Sequence, residues 1–153
     1  MGEDLMGYTI YWRLAGISQH SARRTAAIRD MAKIVKHSPV PLAGWDGTGK
    51  PEIKKTSIVF NGKQPNDYET FTFPGEDDFN FCKTERKPYD LIVKACLAVA
   101  SDVFGNDIKV SSDGGTNPED WADGVALASR VLGRTIAGPG ADEDLGGVRR
   151  RRR

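Results

Sequence analysis

The run from Pro88 to Gly105 constrains this chain most. It places Leu91, Ile92, Ala95, Val99 and Val103 at helical spacing, which commits one face of a helix to burial. Pro88 suits a first helical position, Asp90 favours the positive end of the helix dipole, and Gly105 offers a stop. An apolar stripe of this kind needs a second layer to cover it. Strand-like segments supply that layer. Tyr8, Ile10, Trp12 and Leu14 alternate with Thr9, Tyr11 and Arg13, the period of a strand with one buried face. Thr56 to Phe60 and Glu69 to Phe73 read as a hairpin around a polar loop holding Asn61-Gly62 and Pro65, and Phe79 to Cys82 follows as a third short run. The alternation of Phe71, Phe73, Phe79 and Phe81 is expected to aim all four rings at one face of a meander, as the core of the sheet.

The remaining elements fall around these. Ser18 and Ser21 offer N-caps to a helix over Ser21 to Lys36, whose Ile28, Met31, Ala32 and Val35 form an apolar face before Pro39 and Pro41 end it. A turn-rich loop follows through Asp46-Gly47-Thr48-Gly49. Ile108 to Ser111 reads as a strand, and Asn117-Pro118-Glu119-Asp120 starts a helix running to Leu132, with Gly133 as its stop. The order β-α-β-β-β-α-β-α predicts an α+β fold, with three helices packed on a mainly antiparallel sheet of about five short strands. From Thr135 onward only Ile136, Leu145 and Val148 are available to bury, so residues 135–153 are expected to form a disordered tail behind a single domain over residues 6–134.

Composition narrows the function classes. Apolar residues make up 39% and charged residues 28% of the 153, enough apolar content for a packed core. The formal charge is +1, but Arg149 to Arg153 are all arginine, and setting those five aside leaves the body at −4. Affinity for polyanions is therefore expected in the tail, as weak and salt-sensitive binding. Cys82 and Cys96 form no CxxC pair and have no His cluster nearby, so the expectation is two reduced thiols, no zinc or other metal site and no cofactor. No apolar run suggests a signal peptide or a membrane span, and the expected compartment is the cytoplasm, with oligomeric state left open.

Four blocks carry a resemblance. Met6-Gly7-Tyr8-Thr9-x-Tyr11-Trp12, Ser38 to Gly47, Phe81-Cys82-Lys83-Thr84-x-Arg86-Lys87-Pro88-Tyr89-Asp90 and Val110-Ser111-Ser112-Asp113-Gly114 are similar to a family of short uncharacterised proteins from bacteriophages and bacteria. The similarity spans about residues 6 to 132. It implies a phage or prophage origin, hence a bacterial host cytoplasm, and a start at Met6 with residues 1–5 as an extension. Ile10 stands where the family has a histidine, so a role of that imidazole is not carried over.

Where the third β run meets the second helix, the sequence reads either as an anion-binding corner or as a solvated basic turn whose Tyr89 and Asp90 merely start the helix. Lys83, Arg86 and Lys87 precede the helix start at Tyr89 and Asp90, and unsatisfied amides together with the helix dipole favour an anion there. Tyr11, on the outward face of the first strand, and Trp45 beside Asp46 are candidate stacking platforms, and Ser111 with Asp113 is a candidate polar pair. The expected role is a non-catalytic phage accessory protein that binds a small anionic, nucleotide-like ligand or a host protein. Two alternatives stand beside it. One is a small hydrolase or nucleotide-modifying enzyme using Cys82 or Asp113 with Lys83 and His37, against which Cys82 reads rather as a buried structural thiol and Asp113-Gly114-Gly115 as an ordinary turn. The other is virion or nucleic-acid association through the arginine tail. Gly44 to Lys50 has the frame of a phosphate loop, but Pro51 takes the place of the magnesium-binding hydroxyl and no apolar helix follows, so it reads as a surface loop.

Overall fold

The computed structural model describes residues 7–14, 16 and 21–140. Its elements, in chain order, are β1 (Thr9–Leu14), α1 (Ser21–Lys36), β2 (Leu42–Ala43), β3 (Glu52–Ile53), β4 (Ile58–Gly62), β5 (Phe71–Phe73), β6 (Phe79–Lys83), α2 (Asp90–Phe104), β7 (Ile108–Ser112) and α3 (Pro118–Leu132). The expected α+β architecture is present, with three helices and antiparallel strands. The strands form two sheets. One has the order β6-β1-β7; in the other, β4 pairs with β2 and β3 and also with β5. The two-residue strands β2 and β3 lie in the stretch read from sequence as loop, too short to show any alternation.

α2 is the centre of the molecule and packs against α1, α3 and β7. The expected single stripe is corrected here: ten consecutive or near-consecutive positions, Ile92 to Ala100 and Phe104, are buried around the whole circumference, while Leu91 and Val103 are only half-buried. A helix with apolar residues on every side becomes an interior helix, because both flanks must be covered. β1 behaves as its alternation predicts, with Tyr8, Ile10, Trp12 and Leu14 buried and Arg13 exposed. Trp12 donates its indole N–H to the Pro74 carbonyl at 3.0 Å and lies 5.2 Å from the Phe71 ring, which in turn meets Phe60 at 5.1 Å. These rings join the two sheets.

The expected meander does not form. β6 leaves the β4–β5 hairpin and pairs with β1, in the register Arg13↔Phe79, Tyr11↔Phe81 and Thr9↔Lys83. That register puts Cys82 on the core side beside Ile10, so by the strand period Phe79 and Phe81 point outward. They are 43% and 56% exposed, whereas Phe71 and Phe73 are fully buried.

α3 has the predicted limits. Asn117 caps it by accepting from the Glu119 amide at 2.9 Å, and Gly133 closes it in the left-handed conformation at φ 69°. The folded region extends past the expected boundary at 134. Ile136 is 2% exposed, its amide donates to Ser129 Oγ at 3.0 Å, and Arg134 pairs with Asp30 at 2.9 Å and Asp102 at 3.3 Å. One well-seated isoleucine and an ion triad order this segment where composition suggested disorder. The predicted N-terminal extension, Ser18 and the rest of the predicted tail, including Arg149 to Arg153, lie outside the described residues. No helix among the described residues is long and apolar enough to cross a membrane.

Candidate binding surface

The corner between β6 and α2 is built by a tight turn. Lys87 donates its amide to the Thr84 carbonyl at 3.0 Å, and Glu85 and Arg86 between them stand at φ 56° and 57°, the arrangement of a type I′ turn without its usual Asn or Gly. Such positions cost about 1–2 kcal/mol per residue in L-amino acids. Tertiary contacts hold the turn. Thr84, fully buried, donates to Asp90 Oδ1 at 2.5 Å, and the Thr84 and Glu85 amides donate to the Tyr8 carbonyl. The result aims Arg86 over the Tyr8 ring, 3.8 Å from its centroid, and within 3.6 Å of Asp120.

This corner differs from the expected anion site in three respects. Tyr89 is fully buried, its hydroxyl donates to the Glu69 carbonyl at 2.5 Å, and burial pushes its phenol far up, so it is a core residue and not a ligand contact. The helix begins at Asp90 rather than at Pro88, and a preceding turn consumes its amides: Asp90 N–H donates to Lys87 O, Leu91 N–H to Pro88 O and Ile92 N–H to Tyr89 O. The cations are already engaged or opposed. Lys83 lies 3.8 Å from Glu85, and Arg86 and Lys87 open onto a cleft of about 340 Å³ where, with Lys94, they face Asp90, Glu119, Asp120 and Asp123. Four carboxylates against three cations do not make an anion sink.

The floor of that cleft is a polar cluster that the motif search missed. Lys94, with only 6% of its side chain exposed, pairs with Asp90 at 3.1 Å and Asp120 at 3.4 Å and lies over the Tyr8 ring at 4.6 Å. Asp120 also accepts the Tyr8 hydroxyl, and Ser112 Oγ donates to it at 2.9 Å. Burial works to raise the Asp120 carboxyl, but the Tyr8 and Ser112 hydrogen bonds and the Lys94 and Arg86 charges outweigh it and hold it below the usual range. Gly124 permits the close approach of α3, since a Cβ there would stand 2.9 Å from Lys94 Cβ. The available sequence signal was a lone lysine, four residues after Asp90, on an otherwise apolar helix.

The open face of the β6-β1-β7 sheet gathers other predicted residues. Its register gives three cross-strand rows: Phe79–Arg13–Lys109, Phe81–Tyr11–Ser111, and Lys83–Thr9 with Asp113 beside them. Tyr11 donates its hydroxyl to Asp113 Oδ1 at 2.7 Å, and that carboxylate, together with slight burial, raises its phenol. Thr9 donates its amide to the other Asp113 oxygen at 3.0 Å. The Tyr11 and Phe79 rings stack with centroids 6.1 Å apart and 18° between planes, Phe81 follows Phe79 at 6.4 Å, and the Arg13 guanidinium covers Phe79 at 5.1 Å. Arg13 and Lys109, both exposed, stand directly opposite each other with no ion pair among the described residues.

Trp45 and Asp46 belong to neither place. They sit in the loop between β2 and β3, where Trp45 is 70% exposed and its carbonyl accepts from Thr70 Oγ1 at 2.5 Å. Thr48 donates its hydroxyl and amide to Asp46, which lowers that carboxyl. Gly44 N–H and Gly47 N–H bond back to Thr48 O and Gly44 O, so the loop closes on itself instead of presenting amides to a phosphate. The enzyme alternative is not assembled. Cys82 is buried, its Sγ donates to the Glu69 carbonyl at 3.4 Å, and burial pushes its thiol up to about 12, while Lys83 and Asp113 lie on the opposite face of the sheet. His37 Nδ1 contacts the Lys33 carbonyl at the end of α1. Comparison with family models, with curated proteins and with solved structures finds no match to this chain.

Proposed function

We propose that this chain is a non-catalytic binding protein for a nucleotide-like ligand, and that the ligand lies on the open β6-β1-β7 face rather than in the corner at Pro88. The observation that carries this is the gathering, on one surface, of outward-facing rings and of Arg13 and Lys109, which have no ion pair among the described residues. Phe81 and the exposed part of Phe79, flanked by half-buried Tyr11, offer aromatic surface, and base–aromatic stacking contributes about 1–3 kcal/mol per base. Arg13 opposite Lys109 is a like-charge cross-strand pair, unfavourable in the free protein and relieved by a phosphate between the two. A planar ring joined to an anion satisfies both features at once. The setting as a phage or prophage accessory protein in a host cytoplasm rests on the sequence resemblance alone.

A thermal-shift panel of nucleoside monophosphates, the matching nucleosides and inorganic phosphate tests the reading. A ligand at 100 times its dissociation constant adds about 2.7 kcal/mol. Nucleotides should raise the melting temperature more than either half alone. No shift with any nucleotide overturns the proposal. A host protein as partner is the second reading, favoured by the exposure of Trp45 and Tyr68 at 70% and 45%, since exposed aromatics anchor protein interfaces.

A further inference from the structure

We infer that the occupant of the open sheet face is a single strand of nucleic acid spanning two or more nucleotides. This deepens the reading above and rests on it. Three rings lie on the face, and each already neighbours another at 6.1 or 6.4 Å, so a lone base covers only part of the platform. Cations stand at both ends of it. Arg13 and Lys109 form the row at Phe79, and Lys83 lies in the row beyond Phe81, four residues along β6, or roughly 13 Å at the strand rise of about 3.3 Å per residue. Lys83 Nζ also lies 5.8 Å from the centre of the Tyr68 ring, which is 45% exposed and extends the aromatic surface past that end. One phosphate cannot reach cations at both ends of the row, whereas a strand carries a charge at about every 3.4 Å of stacked length.

The strand must be single, because a π-face on a sheet is useful only to bases whose own faces are free. The path is bounded on one side. Glu76, Asp77 and Asp78, all exposed, immediately precede Phe79, so a polyanion leaves the platform across Lys109 rather than past the start of β6. Asp113, beside the rows, is engaged locally by Tyr11 and Thr9, and Lys83 meets a phosphate in exchange for its 3.8 Å pairing with Glu85.

The test uses the full-length chain, so that Arg149 to Arg153 are present in every arm. Anisotropy is measured with labelled oligothymidylates and oligouridylates of increasing length, with thymidine monophosphate as competitor and a duplex of equal length as control. Affinity should rise from the monophosphate to a short oligomer and then level off. The duplex should bind more weakly, and the DNA and RNA arms show whether the 2′-hydroxyl contributes. Phe79→Ala/Phe81→Ala should weaken oligomer binding at least tenfold with the fold retained, because both rings are exposed, and Arg13→Ala/Lys109→Ala should weaken it and flatten its salt dependence. A monophosphate that binds as tightly as an octamer overturns the inference and leaves the proposed function standing. Equal binding by both double variants assigns the affinity to the arginine run and overturns it. No binding by mononucleotide or oligomer overturns both.

Discussion

Lys94→Met is the most informative single change in this protein. The substitution keeps the length of the stem beside Tyr8 and Trp121 and removes only the charge between Asp90 and Asp120. Breaking a buried ion pair from one side costs about 3–5 kcal/mol where the remaining charge is left alone. Here Asp90 keeps Thr84, Asp120 keeps Tyr8, Ser112 and Arg86, and the two carboxylate side chains retain 13% and 14% exposure. The expected loss is therefore smaller, about 2–3 kcal/mol. Asp120→Asn should cost a similar amount, and the double variant should cost less than the sum by about 1–2 kcal/mol, as residues in one network do. Urea denaturation at pH 7, followed by the fluorescence of buried Trp12 and Trp121, measures all three. Additive losses, or a Lys94→Met loss within the roughly 0.5 kcal/mol of an ordinary surface change, would refute the idea that this cluster is one coupled unit.

The same cluster predicts an acid dependence. The Asp120 carboxyl is held below its ordinary value of 3.8, so the stability it contributes is present above about pH 4 and is lost as pH falls through the folded value; Asp120→Asn should flatten the stability profile in that window, and an unchanged profile would contradict the assignment. Leu97→Ala, at a fully buried position of α2, should cost about 2.7–5 kcal/mol, and half-buried Leu91→Ala clearly less; a loss at Leu91 as large as or larger than that at Leu97 would contradict the burial assigned to the two positions. Cys82 and Cys96, both buried, with thiols pushed up by burial, should resist a thiol reagent at pH 8 in the native protein and both react in denaturant. A native thiol that reacts at once would revive Cys82 as a nucleophile. Glu85→Asn should raise the melting temperature, since asparagine tolerates the φ of 56° that glutamate is forced to adopt there and only a half-buried 3.8 Å pairing with Lys83 is lost; a fall would show that the pairing outweighs the backbone cost.

What the sequence determined by itself is everything carried by a local period. The alternation in β1, the limits of α1 and the cap and stop of α3 follow from spacing and end residues, because a strand's pleat fixes its period of two and helix hydrogen bonds span only four residues. The outward placement of Tyr11 followed from the same period. Tertiary structure decided which neighbour each strand took. Phe71, Phe73, Phe79 and Phe81 share one alternation in sequence, yet β5 pairs with β4 and β6 with β1, so two rings entered the core and two became the candidate platform. It also decided what the charges at the β6–α2 corner meet. Arg86 looks available in sequence, but Tyr8 and Asp120, the latter from α3, fold onto it from more than 25 residues away and compensate it. A strand's period fixes which residues share a face but not which face is covered, and a side chain's charge is local while its partner is not; both are set only when distant segments pack.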